Sequence, residues 1–121
     1  MADDKLVTLA RKLHKQTRAG HVEWEKTNEE GVFEADFAGF AVQLSEAIAE
    51  EEPVYFIRIF DRDGVLLEEF SDEDATEILN RTTPTEPSVM FEVLAETYRG
   101  ARRVAMGVDK AVDSILSALG E

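Results

Sequence analysis

Between Asp3 and Ala19 the side chains Leu6, Leu9, Ala10, Leu13 and Thr17 return at three- and four-residue steps, with Lys5, Arg11, Lys12, Lys15 and Arg18 elsewhere. That spacing predicts an amphipathic helix, within 1–19, closed by the left-handed freedom of Gly20. After Gly20 the period changes to two. His21, Glu23 and Glu25 alternate with Val22 and Trp24; Asn28 to Gly31 supplies a turn; Phe33, Ala35 and Phe37 then alternate with Glu34 and Asp36. This predicts a hairpin with one apolar and one acidic face. Ala38-Gly39 makes a second turn into a third strand, Phe40 to Ser45, and the acidic stretch from Glu46 to Pro53 reads as a connection. Val54 to Phe60, whose only charge is Arg58, is expected to be the best-buried strand, and Asp61-Arg62-Asp63-Gly64 turns it into a fifth, Val65 to Phe70.

Ser71 followed by Asp74 suggests a capping box and a short helix to about Leu79; Asn80 to Pro84 is a turn, and Thr85 caps a new start with Pro87 in the first turn. From Glu86 to Leu119 there is no further proline. Phe91, Leu94, Tyr98, Ala101, Ala105, Val108, Val112, Ile115 and Leu119 alternate steps of three and four, a heptad seam. A continuous helix over 86–119 would be about 50 Å long at 1.5 Å per residue. A domain of this size is nearer 35 Å across, from a radius of gyration of about 13–14 Å. The expectation is therefore either a bend near Gly100 or Gly107, or burial of the seam against a second copy. Homodimerisation through the seam is the leading alternative.

The expected architecture is a single α+β domain: a helix (1–19), a five-stranded antiparallel meander (21–70), a short helix (71–80) and the long helix (86–119), all helices on one sheet face. Composition narrows the function. The 121 residues contain no cysteine, which removes disulfides, thiol nucleophiles and thiolate metal sites and fits a reducing compartment. No apolar run is long enough for a membrane span, and the opening Met-Ala-Asp-Asp-Lys is acidic where a signal peptide would be basic, so a soluble cytoplasmic protein is expected.

Net charge is −13 and unevenly placed: +3 over residues 1–20, −7 over 21–50, −8 over 51–88 and −1 over 89–121. Such a field repels nucleic acid and anionic lipid and favours a basic protein as partner. Glu23, Glu25, Glu34 and Asp36 should stand side by side on the acidic sheet face, as a docking surface for that partner. Paired carboxylates could also serve acid–base chemistry or a weak divalent-ion patch. Two histidines, His14 and His21, lack a third ligand, and Asp61 to Gly64 lacks the remainder of a calcium loop. There is no phosphate loop and no Gly-x-Ser-x-Gly elbow. No cofactor, no metal and no catalytic residue is expected.

Arg99, Arg102 and Arg103 could form a basic patch with the first helix. Trp24, Phe33, Phe56 and Tyr98 could line a pocket between sheet and helices. The leading expectation is a non-enzymatic interaction module, such as a chaperone, adaptor or immunity-type protein; the alternative is a small-molecule or anion-binding domain using that pocket.

The run from Leu13 to Leu44, with Thr17, Gly20, Val22, Glu23, Trp24, Phe33, Ala35, Phe37 and Val42, resembles small bacterial proteins of uncharacterised activity that open with a helix and enter a meander at a Trp-Glu pair. The resemblance implies a bacterial origin and this fold, and no activity. In size, acidity and mixed makeup the chain is also similar to type III secretion chaperones, which are dimers that bind effector segments. Those place a helix between their third and fourth strands, where this chain has only the short acidic stretch 46–53.

Overall fold

The computed structural model describes residues 2–81 and 86–120. Helix α1 (Ala2–Arg18) leads into strands β1 (Glu25–Lys26), β2 (Phe33–Phe37), β3 (Phe40–Ala49), β4 (Glu52–Phe60) and β5 (Leu66–Ser71). Three helices follow: α2 (Asp72–Asn80), α3 (Pro87–Ala105) and α4 (Val108–Ala118). The strands form one antiparallel sheet in sequence order, so the α+β meander read from the alternation is the fold.

Register decides which residues make the core. Phe33, Leu44, Ile57 and Phe70 lie opposite one another across four strands, and all four are buried. One step along, Glu34, Gln43, Arg58 and Glu69 form a row on the other face. There Gln43 Nε2 donates to Glu34 at 2.9 Å, Arg58 pairs with Glu69, and the Arg58 guanidinium lies over the Phe56 ring. Cross-strand partners of opposite character thus satisfy the polar face, while the apolar face takes the helices. Helix α3 touches β1 through β4, α2 touches β4 and β5, and α1 packs on α3 and α2. Tyr98 of α3 sits between Phe33 and Tyr55, with ring centroids 5.4 and 5.5 Å away, and its hydroxyl donates to Gly31 O at 2.7 Å.

Several expectations need correction. Residues 21–24 do not pair as a strand; β1 contains only Glu25 and Lys26. The segment is tied to α1 instead: His21 N donates to Gln16 O at 3.0 Å, and Trp24 Nε1 donates to Thr17 Oγ1 at 3.0 Å. The stretch 46–53 is no connection but the far half of a long hairpin, in which Ala49 pairs with Glu52 around Glu50 and Glu51. Both turn residues have positive φ, 51° and 71°, the backbone of a two-residue turn that normally takes Asn-Gly. An acidic pair in that role conceals the turn. The middle strand of the sheet is β3, with β4 next to the edge strand β5.

The capping box is present as expected. Ser71 Oγ accepts from Asp74 N, and Asp74 accepts from Ser71 N. The proposed turn at 80–84 and the Thr85 cap fall largely on residues 82–85, outside the described residues. The long helix is two helices. Gly107 adopts φ 65° between α3 and α4, where an L side chain would be strained, so the chain changes direction. Gly100 plays a different part: a Cβ there would lie 2.8 Å from Thr17 Cγ2, so its missing side chain lets α3 approach α1.

Candidate functional site

The break at Gly107 divides the heptad seam into parts with opposite fates. Leu94, Tyr98 and Ala101 are buried in the chain's own core, and Phe91 and Ala105 pack at its edge. Val108 is half-buried; Val112, Ile115 and Leu119 are exposed, Leu119 by 71%. A seam shared between copies along its whole length is therefore not available. What remains is α4, which has no buried residue and touches only α3 among the other elements. Across the break Arg103 pairs with Asp109, both exposed.

The four acids expected to act together do line one cleft. Because β1 pairs with β2 only at two positions, residues 21–24 stand off from Ala35–Phe37. The space between, about 340 Å³, is bordered by His21, Glu23, Glu25, Glu34 and Asp36. Glu25 and Glu34 are direct cross-strand partners, a like-charge juxtaposition that favours a cation alongside. Glu23, Glu25 and Asp36 are exposed and Glu34 is half-buried, so the cleft is wet and offers charge rather than a shielded acid. Among the described residues, no group of three His, Asp or Glu side chains is placed to hold a metal ion.

Of the aromatic residues assigned to a pocket, three are brought together, in the packed core, and the fourth is not. Trp24, Phe33 and Tyr98 are buried in the core, while Phe56 points to the opposite sheet face beneath Arg58. The one-residue offset from Tyr55 and Ile57 accounts for this, since adjacent strand residues face opposite ways. His14 and His21 are also apart in their bonding: His14 Nε2 lies 2.9 Å from Glu96 Oε2, and His21 Nδ1 lies 2.9 Å from Gln16 Oε1. The bond with His14 holds the Glu96 carboxyl below its usual range. Arg99, Arg102 and Arg103 are all exposed on α3, Arg103 being committed to Asp109.

Sequence patterning missed one feature. An apolar groove of about 400 Å³ runs between α1 and the sheet end at the β2–β3 turn, walled by Leu9, Leu13, Val22, Phe37, Phe40, Val42 and Ile59, with Lys12 and Gln16 at its border. The turn residues Ala38 and Gly39 both have positive φ, and the Arg62 side chain lies against Gly39 where a Cβ would collide. Phe37 and Phe40, directly opposite each other, therefore extend beyond the cover of the helices, exposed by 39% and 43%. The signal was available in Phe37-Ala38-Gly39-Phe40, a two-residue turn flanked on both sides by large apolar residues.

Both tyrosines of the chain lie at the α3–sheet interface. Tyr55 is pushed up to about 12, chiefly by burial and then by its hydrogen bond with Glu46; Tyr98 is raised by burial first and the Glu46 charge second. Folding thus favours the neutral phenols. Stability from this source is whole below the ordinary tyrosine value of 10.0 and is lost as pH rises from there towards about 12. In an alkaline titration, phenolate absorbance should appear late and together with loss of the folded circular dichroism. Half-ionisation at pH 10 in a folded protein would contradict this burial.

No protein family, curated protein or solved structure matches the chain. Among the described residues, no helix is long and apolar enough to cross a membrane.

Proposed function

We propose that the protein is a non-enzymatic interaction module, of the chaperone, adaptor or immunity-protein kind, that works as a homodimer built through α4. The observation that carries this reading is α4 itself. Its apolar residues Val112, Ile115 and Leu116, with Leu119 at its C-cap, recur on one side over two helical turns, yet all are exposed. A helix this short gains little from its own hydrogen bonds, so an amphipathic stripe left in water stands to gain most from a second surface. The acidic cleft at Glu23, Glu25, Glu34 and Asp36 complements the reading, as a place where a basic partner protein would be steered and held.

Light scattering coupled to size exclusion tests the dimer. A mass of about 27 kDa, twice the 13.6 kDa of the chain, is expected and should persist at high salt because the contact is apolar. A mass of 13.6 kDa at high micromolar concentration, at both low and high salt, would overturn it.

A further inference from the structure

We propose that α4 of one copy docks into the apolar groove between α1 and the β2–β3 turn of a second copy, and the reverse, so that the dimer rests on two exchanged helix–groove contacts. The inference rests on the dimer reading above and names the surface that α4 meets.

A chain's own α4 lies away from its own groove. Only Met106 and Gly107 separate α3 from α4, and α4 touches no other element. Helix α1 turns His14 and Thr17 towards α3, where they meet Glu96 and Gly100. Its groove-lining residues Leu9, Lys12 and Gln16 occupy another side. In the folded chain α4 meets only α3, so its own groove stays open to another molecule.

The two surfaces match in extent. Leu9 to Gln16 spans two helical turns, about 10 Å, and the apolar stripe from Val112 to Leu119 spans the same length. Each exposed side chain among Val112, Ile115, Leu116 and Leu119 presents roughly 100 Å² of apolar surface, and the groove, chiefly through Phe37 and Phe40, adds about a quarter of their sum in return. Counting both surfaces of two reciprocal contacts gives on the order of 1,000 Å², the lower bound for a specific interface.

Charge matches as well. On a chain of net charge −13, residues 1–20 are the segment with a positive balance, +3, and Lys12 stands at the groove border. The polar side of α4 carries Asp109, Asp113 and Lys110, a balance of −1. A contact between these segments brings opposite signs together, whereas α4 against its own image juxtaposes like balances.

The absence of native cysteine allows a direct test. Differently tagged Phe40→Cys and Ile115→Cys chains, both changed at exposed positions, are mixed and mildly oxidised. Groove docking brings the two thiols within disulfide reach, so the mixed Phe40→Cys/Ile115→Cys species should exceed the Ile115→Cys self-linked species at least tenfold. A predominant Ile115→Cys self-link would overturn the inference and leave the dimer reading standing. Light scattering of Phe40→Glu and Phe37→Glu provides the second readout: a monomer with unchanged circular dichroism is expected of each. Either variant remaining folded and dimeric would remove the groove from the interface. A wild-type chain that is monomeric throughout would overturn the dimer reading and this inference together.

Discussion

Leu94→Ala is expected to cost about 2–5 kcal/mol of folding stability, whereas Ile115→Ala, on the same heptad seam, should cost less than about 0.5 kcal/mol in dilute solution. Leu94 is 1% exposed among the sheet-facing residues of α3, and its truncation would leave a hole between rigid elements that cannot collapse to fill it. Ile115 is 58% exposed and leaves no hole. Urea unfolding measures both. The dimer adds a concentration dependence: association stabilises the folded chain by mass action, so the Ile115→Ala deficit should grow with protein concentration while the Leu94→Ala deficit stays nearly constant. Equal costs at low concentration would mean that α4 is held by its own chain after all.

That contrast marks how far patterning reaches. Steps of three and four at Phe91, Leu94, Tyr98 and Ala101 correctly identify a buried helical face, but periodicity does not say whether the covering surface is the same chain or another. The pattern continues through Val108 to Leu119 as though nothing happened at Gly107, because a single left-handed residue redirects a helix without altering the spacing of its side chains. The length argument did point there, since a 50 Å helix exceeds the body it would pack on. The meander was legible because alternation and turn chemistry agreed at Phe33–Phe37, Phe40–Ser45 and Val54–Phe60. It was concealed where they disagreed. Glu50 and Glu51 take a backbone that glycine and asparagine prefer, so Glu46 to Pro53 reads as a polar connection although the strands continue.

Faces followed the same logic. Alternation groups Glu23, Glu25, Glu34 and Asp36, and all four line the cleft although Glu23 lies outside the paired strand. In Val54 to Phe60, apolar on both faces, alternation does not show which face meets the helices, and Phe56 falls on the face away from them. The groove was invisible because it joins α1 to Val22, Phe37, Phe40, Val42 and Ile59, residues scattered along the following forty or so positions, a juxtaposition that only tertiary packing creates.

Gly100→Ala should reverse sign according to the residue at position 17. In an isolated helix the change gains about 1 kcal/mol. Here the new Cβ would stand 2.8 Å from Thr17 Cγ2, closer than carbon atoms pack, and α3 must move from α1 or Thr17 must rotate. Rotation is costly because Thr17 Oγ1 accepts the Trp24 Nε1 proton in a buried site, and an indole donor left unpaired there costs about 1–3 kcal/mol. A net loss of about 1–2 kcal/mol is therefore expected in the wild-type background. Thr17→Ser removes the offending methyl and keeps the hydroxyl for Trp24. In that background Gly100→Ala should become neutral or stabilising by up to about 1 kcal/mol, a coupling of about 1–3 kcal/mol between the two positions. Chemical denaturation of the four proteins, with tryptophan emission reporting on the only indole, supplies the cycle. Additive effects would mean that α1 and α3 are free to separate at this crossing, and that Gly100 does not set their distance.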